Sequence, residues 1–215
     1  LVCVAAEREA TLEKLRALGA VHLALGEAAG TAVAAAKGEI DAAEKAVRLV
    51  RKAEESYLRS LGPKASRESI EKRPCSVAEV LALEADRDAL VSEKERLERE
   101  IKVYAPYGDF DPALAKKLLD RGIDLKDELP AKLPEMRLSR MQEKLKRVEN
   151  RIAVDTAKIA RSDEQAILGR YPALRERMEF EQAKELMSAK GAVAVVSGWV
   201  PETKVSGIRD QGSEQ

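Results

Sequence analysis

Residues Ser76–Tyr104 read SVAEVLALEADRDALVSEKERLEREIKVY. With Val80 at the first apolar position, Leu83, Arg87, Leu90, Lys94, Leu97, Ile101 and Tyr104 follow at alternating steps of three and four. That spacing predicts a helix with a coiled-coil seam carrying two charged interruptions. Ser76 with Glu79 three residues on supplies a capping box at its start. Glu, Lys, Asp and Arg fill the faces between. So narrow an apolar stripe does not hold a helix in water alone, so the reading requires a partner helix along its length.

The flanking sequence offers partners on both sides. Before the stretch, Ile40, Ala43, Val47, Val50, Glu54, Tyr57 and Leu61 step by three and four, with Glu54 the charged interruption. Gly62-Pro63 breaks that helix, and Lys64–Pro74 is polar, readable as a loop or as a distorted helical segment. After the stretch, Leu138, Met141, Leu145, Val148, Ile152, Asp155 and Ile159 repeat the pattern on a return helix. Gly169 and Pro172 interrupt it, Pro172 opens a further segment through Met187, and Gly191 ends it. Between the two arms, YAPYGDFDPALAKKLLDRGIDL (104–125) has a Pro and Gly turn cluster and a short helix opened by Asp111-Pro112. Pro130 and Pro134 follow so soon that we expect residues to be missing between Leu125 and Pro134.

The ends of the chain read as strands. LVCVA (1–5) and VHLAL (21–25) flank a helix over 7–18 with Leu12, Leu15 and Leu18 on one face, a β-α-β start of a small sheet. AVAVV (192–196) is a third strand that can join them. The fold class is thus α+β and mostly helical: a long antiparallel coiled-coil hairpin with a small α/β lobe at each end. One lobe combines 1–30 and 191–215, the outgoing arm is 31–103, the distal lobe 104–137 and the return arm 138–190. At 1.5 Å per residue an arm of about 60 residues spans roughly 90 Å. Leu1 opens directly on strand-like residues and the last residues form a polar tail, so the chain reads as a fragment.

Composition narrows the function classes. The chain has 215 residues, with 38 basic and 38 acidic side chains, 35% charged and 3% aromatic. That suits long helices better than a broad core. Zero net charge disfavours a nucleic-acid binder, and it gives no general pull toward anionic lipid. No apolar run approaches the roughly 18 residues of a membrane span. Cys3 and Cys75 lie far apart without metal-type spacing and read as free thiols. His22, the single histidine, reads as a structural strand residue. Asp109 and Asp111 resemble a carboxylate pair for acid/base work, although a helix cap accounts for the second. Arg87, Lys94 and Asp155 on the seams read as devices for register or for bending. No Gly-Lys-Ser/Thr loop is present for phosphate. We expect no catalytic site, cofactor or metal.

Several pieces carry a family likeness: EREATLEKLRALGAVHL (7–23), GDFDPALAKKLLDRGI (108–123), the LPE at 133–135, and VAVVSGWVPE (193–202) after the return helix. In this order they resemble the cytoplasmic N-terminal half of subunit I, also called subunit a, of V-type and A-type rotary ATPases. The likeness covers nearly the whole chain, and GWVPE is its most specific piece. It implies a bent helical hairpin with a lobe at each end and a stator role at the cytoplasmic face of a membrane-bound complex. It implies as partners the peripheral-stalk subunits E and G, the central-stalk rotor cap (C/d), the subunit's own membrane domain and the rotor ring, with no nucleic acid and no small-molecule substrate. The membrane half is not in this sequence, and the middle lobe lacks the strands the family has there. The residues we assign to partner binding are Phe110, Leu114, Leu118 and Trp199, although for Trp199 packing of the membrane-side lobe is the favoured reading. The alternative is a coiled-coil structural arm of another multiprotein machine.

Overall fold

The computed structural model describes residues 2–18, 22–23, 30–123, 129–130, 132–190, 193–195 and 198–199. Helices dominate. The chain divides into two compact units, Leu1–Glu44 with Leu168–Gln215, and Lys45–Ile167.

The first unit holds strands β1 (Val2–Val4), β2 (His22–Leu23), β3 (Ser188–Lys190), β4 (Val193–Val195) and β5 (Gly198–Trp199). Its helices are α1 (Arg8–Leu18), the first part of α2 (Thr31–Leu61) and α7 (Tyr171–Leu186). β4 lies between β1 and β3, antiparallel to both, with Val2 opposite Val195. β2 pairs with β5, His22 opposite Trp199. β1 and β2 therefore belong to different ladders, not to one β-α-β sheet, because each pairs with a strand from the far end of the sequence. β3 corrects a second expectation. The sequence pattern places 188–190 in the return arm, but the chain leaves the helix at Met187 and Ser188–Lys190 pair with β4. A three-residue ladder overrides any local propensity.

α1 packs on α7, burying Leu12, Ala183, Met187 and Ala194, with Cys3, Ala5 and Phe180 beside them. Arg16–Glu176 and Lys184–Glu9 bridge the two helices, and Arg177–Glu39 ties α7 to α2. Exposed pairs of this kind contribute at most about 1 kcal/mol each, so the apolar contacts dominate. At the start of α2, a Cβ on Gly30 would collide with the Glu185 carboxylate. A carboxylate suits the positive end of a helix, and glycine leaves room for it.

The second unit is built on α3 (Val77–Tyr104) and α5 (Leu138–Ala160), which pack lengthwise against each other. Lys94–Glu149 and Lys144–Glu93 cross between them, and Asp109 reaches Ser139 at one end while Arg73 meets Ser162 at the other. These pairs run in opposite sense along the two helices, so the packing is antiparallel. Val80 and Leu97 are buried on α3, and Met141, Val148 and Ile159 on α5. Leu83, Leu90, Ile101, Leu145 and Ile152 are only half-buried, as a two-helix contact leaves one flank of each stripe open. The Ser76–Glu79 capping box is formed in both directions.

The charged interruptions of the seams have specific partners. Arg87 holds Glu84 at 2.7 Å, both largely buried. Lys94 spans to Glu149 at 2.9 Å, which raises its pKa. Asp155 is 1% exposed and is held at 3.1 Å by both Arg151 and Lys158 of its own helix.

α5 ends at Ala160, well before Gly169, and α6 (Glu164–Leu168) follows. The sequence pattern carries the helix further. Four hydrogen bonds explain the earlier stop. Arg73 donates its backbone N–H to Arg161 O at 2.7 Å and accepts from Asp163 N at 2.9 Å. Lys72 Nζ donates to Ala160 O at 2.9 Å, and Asp163 Oδ1 accepts from Gln165 N at 2.9 Å. Residues 64–74 thus form a loop with one 3₁₀ turn, Arg67–Ser69, seated on the end of α5.

Because apolar contact dominates, Leu97→Ala, at a side chain 1% exposed, is expected to cost about 2–5 kcal/mol. Lys94→Ala, which removes the part-exposed Glu149 bridge, is expected to cost about 1 kcal/mol or less. Denaturant titrations of the two variants measure the difference. Comparable losses would show that the charges, not the apolar stripe, hold the helices together.

Candidate interaction site

The end of the α3–α5 pair is closed by a short connection whose geometry follows from two aspartates. α3 runs into a 3₁₀ turn, Ala105–Tyr107, and Gly108 at φ 75° turns the chain, a conformation open to glycine without steric cost. Asp111 caps α4 (Pro112–Asp120): its Oδ1 accepts from Ala113 N at 3.0 Å, and Pro112 stands at the first helical position. Its Oδ2 meets the Arg137 guanidinium. Asp109 reaches across the chain, and its Oδ1 accepts from Ser139 N at 3.0 Å, in the first turn of α5. The supposed carboxylate pair is therefore two helix caps on two helices. The Ser139 N–H holds Asp109 below the usual carboxylate range, and the Arg137 guanidinium does the same for Asp111. Just past the end of α4, Gly122 stands at φ 80°, and its N–H donates to Leu119 O at 2.9 Å.

On this frame the side chains sort by exposure. Ala115 is buried, and Phe110 and Leu118 are half-buried. Pro130 and Pro134 are also buried. Leu114 stands out at 56% exposed. Of the residues read from the sequence, Phe110, Leu114 and Leu118 thus share one short segment, and of these three only Leu114 is exposed. Trp199 belongs to the other unit, where its backbone pairs with His22. Leu125, Val200 and Pro201 lie outside the described residues, as do residues 126–128 and 131 of the stretch between Leu125 and Pro134 suspected of missing residues.

Other exposed apolar side chains near α4 fall outside the sequence reading: Val103, Tyr107, Leu119 and Ile123. The run LAKKLL offers three leucines on a short helix, and only packing decides which of them turns inward. The signal that could have found the rest is composition: apolar residues at the last turn of α3 and just past α4 fall off the seam spacing.

Among the described residues no group of three His, Cys, Asp or Glu could hold a metal ion, and no helix is long and apolar enough to cross a membrane. Cys3 and Cys75 are free thiols. No family model, no curated protein and no solved structure matches the chain.

The two caps carry a pH signature. Both pKa values are lowered on folding, so their contribution is complete above the ordinary carboxylate range, about pH 4. It is lost as pH falls through the lowered folded values. The backbone amide NMR signals of Ser139 and Ala113 are expected to titrate below that range, and Asp109→Asn with Asp111→Asn is expected to remove the transition. Titration at or above the ordinary value would mean that the caps do not form.

Proposed function

We propose that this chain is a non-catalytic stator subunit of a proton- or sodium-translocating V/A-type rotary ATPase, linking the membrane ion-channel part to the peripheral stalks. The observation that carries the reading is the lengthwise antiparallel packing of α3 on α5, closed at one end by a capped segment that presents Leu114 to solvent. The sequence pieces GDFDPALAKKLLDRGI and VAVVSGWVPE support it through their likeness to subunit I of these ATPases.

The mechanism is mechanical. Two helices packed along their length resist bending better than one, because bending must slide interlocked side chains past each other. In this proposal the α3–α5 pair is the shaft of a hairpin with an α/β lobe at each end. Phe110, Leu114 and Leu118 form the contact to a peripheral-stalk heterodimer of subunits E and G, and Trp199 contributes to the lobe at the chain ends. The work of the chain is to hold position at the cytoplasmic face of the membrane while a rotor turns, and it needs no cofactor or substrate for that. Binding of this type concentrates in a few apolar anchors surrounded by near-neutral contacts.

Mixing the purified chain with a stalk E–G heterodimer on a size-exclusion column tests the reading. Co-elution is expected. Leu114→Asp with Leu118→Asp is expected to weaken it by about tenfold or more while the helical circular dichroism is retained. Failure of the unmodified chain to bind any stalk heterodimer would favour the alternative, a structural arm of another multiprotein machine.

A further inference from the structure

The polar stretch that separates α2 from α3 is held to the second unit by few anchors, and the strongest is ionic. Of residues 62–75 only Ile70 is buried, while Gly62, Ala65 and Cys75 are half-buried and the rest are exposed. Gly62, at φ 97°, gives the segment a turn at its start. Near its other end Lys72 turns its ammonium inward. It pairs with the Glu54 carboxylate and donates to Ala160 O at 2.9 Å and Ser162 O at 3.4 Å. The carbonyls are those at the end of α5, where a cation complements the helix dipole. Glu54 is 3% exposed, so its charge requires a partner. A second cation, Arg67, stands 3.4 Å from Glu54, but it is itself well exposed and belongs to the same segment. The backbone pairing of Arg73 with Arg161 and Asp163 completes the attachment.

From this arrangement we infer that residues 62–75 form a strap that opens and closes as a unit about its Lys72 anchor, while α3 and α5 stay packed. The inference does not rest on the stator reading. The physical ground is the contrast in attachment. The strap has one buried apolar side chain, whereas the α3–α5 contact buries a row of them, and segments with few buried contacts open at low free energy. Opening separates Lys72 from Glu54 and hydrates both charges, which lowers the cost of parting them. It also carries away the strap's own wall, Arg73 and Cys75, of an open cleft of about 620 Å³ that Glu79, Leu83, Lys158 and Ser162 line from the other elements. The Cys75 thiol sits there 3.4 Å from Glu79 Oε2. The strap thus controls one wall of this cleft, set by one ion pair whose carboxylate, Glu54, is buried.

Amide hydrogen exchange and maleimide labelling of Cys75, read by mass spectrometry on the full chain, test it. Lys72→Met is expected to speed exchange at Ile70, Arg73 and Asp163, and labelling of Cys75, by about tenfold or more, since a charge-assisted hydrogen bond is lost. The amides of Leu90–Leu97 in α3 are expected to stay within about twofold of the unmodified chain, as sites outside the opening unit do. If Lys72→Met does not fold by circular dichroism, Glu54→Gln decides. It keeps the side-chain volume, and the same sites are expected to speed up by about threefold or more. Unchanged exchange at the strap, or equal acceleration in α3, would overturn the inference.

Discussion

A helix whose apolar residues fill only two positions in seven has to be covered along its whole length, and in the second unit α3 and α5 cover each other. Val80 and Leu97 on one helix and Met141, Val148 and Ile159 on the other supply the buried contact. Almost everything else in that unit follows from keeping these two stripes in register. The aspartates at 109 and 111 hold one end by capping α5 and α4. The Arg73 backbone pairing and the Lys72 ammonium hold the other by finishing α5. Both ends are thus fixed by hydrogen bonds to groups that a helix terminus leaves unpaired.

The charges on the apolar lines illustrate how burial and pairing trade against each other. Asp155 sits deeper than most of the leucines, yet both of its cations come from its own helix, one turn away on either side. Such a pair adds little net stability over a well-packed apolar residue, and its removal from one side only would leave a buried charge. Glu54 differs, because its partner comes from a segment otherwise poorly attached. A buried pair within one helix can be read as a local matter. A pair between a buried helix carboxylate and a loop lysine joins two elements that could otherwise separate, and it gives the strap its sensitivity to charge.

For function, what matters is where apolar side chains are left uncovered. The two-helix contact covers Val80, Leu97, Met141, Val148 and Ile159 and leaves the flanks half-open. From the last turn of α3 to just past the end of α4, Val103, Tyr107, Leu114, Leu119 and Ile123 are exposed, while Ala115 is buried.

Much of this was legible in the residues. The three-and-four spacing in Ser76–Tyr104 and Leu138–Ile159 located both helices of the pair, the capping box placed the start of α3, and Asp111-Pro112 placed the start of α4, because these signals are local and each has a backbone cause. The sequence by itself therefore determined which segments are helical, which side of each is apolar, and that the stripes needed partners. It did not determine that α5 stops at Ala160, that Ser188–Lys190 is a strand, that Asp109 caps a helix thirty residues away, or that Lys72 is the counter-charge of Glu54. Each of these depends on a hydrogen-bond or charge partner distant in the chain. Local propensity is silent about such partners, and only the tertiary structure brings them within reach.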